Sequence, residues 1–155
     1  MAEMKNLVCT FFGHKNAPAK IQPMLEKKII DLIENYGVNK FLVGNQGKFD
    51  LIVRKTLKNI KIKYPSIIWF TVLAYMPSKT ICSEDYSETI YPDGLEEVFP
   101  KYAINKRNQW MIDNSDYVIV YVEHKTGGAA KFKEIAERKK KIVINIADCE
   151  LQKLN

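Results

Sequence analysis

The chain holds only two histidines, and His14 falls in "FFGHKNAPAK", Phe11 to Lys20, directly after an apolar run. Gly13 permits a tight turn there, while His14 and Lys15 can donate hydrogen bonds to an anion; an ordinary polar surface turn is the competing reading. "GNQGKFD", Gly44 to Asp50, places Gly44, Asn45 and Gly47 just ahead of an amphipathic run. Two glycines let a backbone approach a ligand, and a helix N-terminus offers free N–H groups, so a phosphate or ribose contact is expected. Asp50 contributes to that contact or else caps the helix.

Only three of the 24 basic residues are arginines, Arg54, Arg107 and Arg138. Each is informative, because arginine alone offers a planar bidentate fork for phosphate or carboxylate. Within "INKRNQWMIDNSD", helical spacing puts Ile104, Arg107, Asn108, Met111 and Ser115 on one face, so polar groups interrupt a stripe that should be core. Arg107 and Asn108 are therefore a ligand clamp, a structural tie to Asp113 or Asp116, or both. The last candidate is "KTGGAAKF", where Thr126, Gly127 and Gly128 open a helix after an apolar strand and can cradle phosphate through backbone N–H groups.

The elements that must position these turns alternate regularly. "LVCTFF", "KFLV", "IIWFTVLA", "YVIVYV" and "IVINIA" (the last from Ile142 to Ala147) are short apolar runs that read as buried strands. Helical periodicity separates them over Ile21 to Tyr36, from Phe49 to Ile60, near Tyr102 to Asn114, and after Gly128. Between Tyr75 and Pro100 the pattern lapses among prolines, predicting a long loop with short pieces of structure. Strands buried on both faces and alternating with helices predict a single α/β domain over residues 1–155, with a Rossmann-like, doubly wound, mostly parallel sheet and helices on both faces. Ligands of such sheets bind beyond the carboxyl ends of the strands, where all four candidate turns fall.

Composition narrows the function classes. No apolar stretch reaches a membrane span and the N-terminus lacks a signal-peptide layout, so a cytoplasmic protein without membrane contact is expected. Cys9, Cys82 and Cys149 are odd in number and widely spaced, which suits reduced thiols and predicts neither a disulfide frame nor a metal site. The net charge of +6 comes mostly from lysines in "KNIKIKY" and "ERKKKI", near predicted helix ends, where a solvated surface accounts for them.

In "FFGHK", "VGNQGKFD", "KYAINKRNQWMIDNSDYVIVYV" and "TGGAAKFKEIAERKKKIVIN", the chain resembles the SLOG superfamily across its length. That superfamily includes the LOG-type phosphoribohydrolases, a DNA-processing protein of bacterial transformation and ligand-sensing domains of immunity systems. The resemblance is nearest to short stand-alone bacterial members of unassigned activity. It implies a nucleotide or nucleotide-derived ligand at the strand ends, no cofactor, and a homo-oligomer. LOG enzymes carry P-G-G-x-G-T-x-x-E, against which Thr126 to Glu134 reads T-G-G-A-A-K-F-K-E. The paired glycines and Glu134 match, but the proline, the later glycine and the threonine do not. Glu134 is thus either a catalytic carboxylate or an ordinary surface residue of a Lys/Glu-rich helix.

Three functions follow. A sensor or sink would hold the ligand unchanged. A nucleoside monophosphate phosphoribohydrolase or N-glycosidase would use a carboxylate, with Glu134, Asp50 and Glu84 as candidates, to stabilise an oxocarbenium-like centre. A single-stranded DNA-binding protein would stack bases on Tyr75, Tyr86, Tyr91 and Trp110 beside its lysines.

Overall fold

The computed structural model describes residues 6–76 and 88–148. It contains a six-stranded sheet in the order β4-β3-β2-β1-β5-β6, and every pairing is parallel. The strands are β1 (Val8–Gly13), β2 (Lys40–Val43), β3 (Ile68–Val72), β4 (Thr89–Ile90), β5 (Tyr117–Tyr121) and β6 (Ile142–Asn145). Four helices connect them: α1 (Gln22–Tyr36), α2 (Gly47–Lys63), α3 (Pro100–Asp113) and α4 (Gly128–Arg138).

Period-two alternation along the strands sorts the core into two layers. Cys9 and Phe11 of β1 pack with Leu25, Leu32, Phe49 and Val53 of α1 and α2. Val8 and Phe12 point to the opposite face, with Met111, Ile112, Phe132 and Ala136 of α3 and α4. The chain winds outward from β1 through β4, then crosses back to lay β5 against the other side of β1. The gap above β1 and β5 is therefore the switch point, where neighbouring connections leave in opposite directions and open a crevice.

Local chemistry explains the boundaries. Gly37 ends α1 in the left-handed conformation at φ 73°. Pro100 starts α3 from the first turn, where its missing N–H costs nothing, so the helix begins slightly before the expected Tyr102. Lys61 Nζ bonds the carbonyls of Pro65 and Ile67 just past α2, so one of the clustered lysines ties the helix end to the turn before β3. The third strand is shorter than expected: Leu73 and Ala74 are buried but lie beyond the last paired residue. The final strand likewise stops at Asn145, whose amide bonds both Val122 N–H and Val122 C=O at 3.1 and 3.0 Å, replacing a rung of the ladder.

Of the segment read as a loop, the described part contains β4 and a 3-10 turn at Leu95–Glu97. Two residues of strand are too short for periodicity to register. Glu84 and Tyr86 lie outside the described residues, as do Cys82 and Cys149. Cys9 is fully buried, and burial pushes its thiol well above the usual range, which leaves it inert. Among the described residues no helix is long and apolar enough to cross a membrane.

Candidate functional site

A cleft of about 350 Å³ opens at the switch point, walled by the turn after β1, the start of α2, one face of α3 and the start of α4. Of the residues singled out from sequence, Gly13, His14, Lys15, Asp50, Arg107, Asn108 and Gly128 line it. Gly44, Asn45 and Gly47 stand behind the wall as supports, and Thr126 and Gly127 lead into α4. Glu134 is exposed on α4 and is not among the lining residues.

Two turns are clasped together. Lys48 N–H donates to Lys15 C=O at 2.8 Å, and a Cβ on Gly47 would come within 3.0 Å of Lys15 Cα. Gly47 also has φ 86°, so both its conformation and the close approach require glycine. A Cβ on Gly13 would meet the Phe49 ring at 2.3 Å; the absence of a side chain lets α2 sit directly on the end of β1.

His14 is half-buried, and its Nε2 accepts from Glu123 N–H at 2.9 Å, joining the ends of β1 and β5. The neutral ring can then donate to a ligand only through Nδ1. Burial and the nearby His124 lower its pKa, outweighing the opposite pull of Glu123, which favours this neutral form. His124 itself lies 5.2 Å away between ring centroids.

Asp50 is 8% exposed and accepts from Gln46 N–H at 2.9 Å, so it does satisfy an orphan donor at the start of α2. Burial raises its pKa to about 6, against the pull of that hydrogen bond, Arg107 and Arg54. It is the only carboxylate among the lining residues.

Arg107 is 2% exposed and is a tie. Its Nε donates to Asn108 Oδ1 at 2.8 Å, and Nη1 donates to Val72 C=O at 3.0 Å and Asn45 Oδ1 at 3.3 Å. The tie differs from the one expected: Asp113 bonds Lys139, and Asp116 accepts from Val8 N–H. Asp113 ends α3 and Asp116 lies past it beside the start of β1, away from the strand ends that Arg107 reaches. Arg107 thus joins α3 to the ends of β2 and β3 and stands on the cleft wall.

Gln46, Asn105, Phe12 and Phe132 also line the cleft and were not singled out as ligand contacts. Phe12 and Phe132 stack at 5.4 Å between centroids, forming an apolar pad beside the polar end. Phe132 lies one turn past Gly128, a spacing that would have placed it on the same face of α4. Gln46 carried no such signal, because loop residues have no period.

Of the aromatic residues considered for base stacking, the described ones, Tyr75, Tyr91 and Trp110, do not line this cleft. Tyr75 is exposed and bonds Pro100 C=O, while Trp110 lines a separate groove with Asp93 and Lys106. Among the described residues no cluster of three or more His, Cys, Asp or Glu could hold a metal.

These features define a SLOG-type Rossmann-like domain with a cleft at its switch point. The family model YpsA, described as the YspA SLOG family, matches residues 5–147, and the chain belongs to that family. Its fold is similar to the X-ray structure of DNA processing protein A (DprA) from Streptococcus pneumoniae, with a TM-score of 0.65 at 14% identity. That alignment covers 89% of this chain and 49% of the other, so this chain spans about half the length of that protein. No curated protein is significantly similar to this chain.

Proposed function

We propose that the cleft binds a nucleotide or nucleotide-derived small molecule, as a sensor, sink or regulatory module. The observation that carries this reading is the pairing of two unlike ends in one crevice. Lys15, the His14 turn and the start of α4 supply cationic and N–H donors suited to phosphate. Phe12 and Phe132, largely buried against each other, supply an apolar wall suited to a base. Family membership and the DprA-like fold are compatible with nucleotide-related binding.

Lys15 is the better probe of phosphate, since it is exposed whereas Arg107 is held inside by three partners. Lys15→Ala should weaken a nucleoside monophosphate about tenfold more than its dephosphorylated analogue. Titration calorimetry on ligands first found by native mass spectrometry would measure this. Equal weakening of both would reject phosphate recognition by Lys15.

A second reading, N-glycosidic hydrolysis, is favoured by one observation: a single buried carboxyl with a raised pKa faces the cleft. If that chemistry runs here, Asp50 is its acid or its stabilising carboxylate. Release of free base by the wild type, abolished in Asp50→Asn with binding retained, would establish turnover. A ligand recovered intact would leave a sensor or sink.

A further inference from the structure

Asn108 shows the cleft only one kind of hydrogen-bonding group. Ile104 and Met111 flank it along α3, and Phe12 and Phe132 share the same cleft. The side chain is buried, at 8% exposed, and its Oδ1 accepts from Arg107 Nε at 2.8 Å. A guanidinium N–H can only donate, so Oδ1 must face Arg107 and the NH₂ group must face the other way. Nor can Arg107 turn to release it, because Nη1 is held by Val72 C=O and Asn45 Oδ1.

Among the described residues no acceptor bonds Asn108 Nδ2, yet Nδ2 is not one of the enclosed, unpartnered atoms. The donor therefore keeps access to open space in the cleft. The cleft it lines has apolar Ile104, Met111, Phe12 and Phe132 among its walls, and a ligand seated beside the amide displaces the water that would otherwise satisfy it.

We propose that Asn108 is a specificity-determining residue that favours nucleotides whose base presents a carbonyl at the purine 6 or pyrimidine 4 position over those presenting an amino group there. The proposal rests on the reading of the cleft as a nucleotide site. A base on the pad formed by Phe12 and Phe132 brings an edge to the amide. A carbonyl accepts from its NH₂, whereas an exocyclic amino group sets donor against donor where water is excluded, leaving both unpaired. The preferred class is then nucleotides of hypoxanthine or guanine, or of uracil, over those of adenine and cytosine.

The test compares inosine with adenosine monophosphate, and uridine with cytidine monophosphate, by titration calorimetry. The wild type should prefer the carbonyl member of each pair about tenfold. Asn108→Asp keeps an acceptor towards Arg107 but turns an acceptor towards the base, and should reverse the order. Its added charge acts equally on both members, so the ratio isolates the edge contact. Asn105→Asp places the same charge on the same cleft wall away from the Arg107 bond, and should lower both members alike while keeping the wild-type order. Equal affinities within each pair, an order that survives Asn108→Asp, or a reversal by Asn105→Asp would overturn the proposal while leaving nucleotide binding intact. Failure of all four nucleotides to bind would overturn the nucleotide reading together with it. Should Asn108→Asp not fold, the wild-type ratio decides alone.

Discussion

At the level of single residues, Asp50 shows how a site is held at a cost to the fold. Its carboxyl is buried, so the ionised form is less favourable in the folded chain than in the unfolded one, and its pKa rises to about 6. Stability from this group is therefore complete below the unfolded value of 3.8 and is lost as pH rises through about 6. The expected loss is no more than about 3 kcal/mol for a shift of this size. Asp50→Asn keeps an acceptor for Gln46 N–H without the charge. It should raise the unfolding midpoint at about pH 8 and give no gain at about pH 4. Urea unfolding at the two pH values measures this; a variant equally stable or weaker at the higher pH would contradict it. From sequence, Asp50 was legible as a helix-start residue or a ligand contact. Its raised pKa was not, because burial is set by α3 arriving from far along the chain.

At the level of elements, the site depends on how closely the connecting turns approach one another. A Cβ on Gly13 would come within 2.3 Å of the Phe49 ring, so Gly13→Ala must push α2 away from β1. The expected cost is about 1–3 kcal/mol, with the cleft distorted and ligand affinity lowered. A Cβ on Gly128 would meet nothing within 4 Å, and this residue already has helical geometry. Gly128→Ala should therefore keep or raise stability, by up to about 1 kcal/mol. Thermal melts of the pair test the contrast, and a Gly128→Ala protein less stable than Gly13→Ala would show that these clearances do not govern the turns. Both glycines were visible in sequence as turn residues. Their different tolerances were not, because only packing reveals what a missing side chain makes room for.

At the level of the whole molecule, the strand order collects what the chain keeps apart. His14, Asp50, Arg107 and Gly128 come from four separate connections and meet only because β1 lies between β2 and β5. The net charge of +6 raises the question of nucleic acid. A track along a single strand would give a log–log salt slope of about −0.7 per phosphate neutralised, about −3.5 for five and steeper for more. A nucleotide held chiefly by Lys15 should show a slope no steeper than about −1. Affinities across a salt series distinguish them, and a steep slope that grows with oligonucleotide length would favour the DNA-binding alternative.

The sequence by itself determined the alternation of strands and helices, the parallel α/β fold and most of the turns that gather at the cleft. Those features follow from local rules: apolar runs bury, helical spacing repeats, and glycine marks tight turns. Even the Arg107–Asn108 interruption of an apolar helix face was legible as something that needed a partner. Only the tertiary structure decided what that partner was, because Val72, Asn45 and Arg107 are distant in sequence and meet through the strand order. It also separated Glu134, exposed on α4, from the residues that line the cleft, and brought Phe12 against Phe132. Non-local contacts of this kind carry no period in the chain, so the pocket's chemistry emerges when the sheet closes over its switch point.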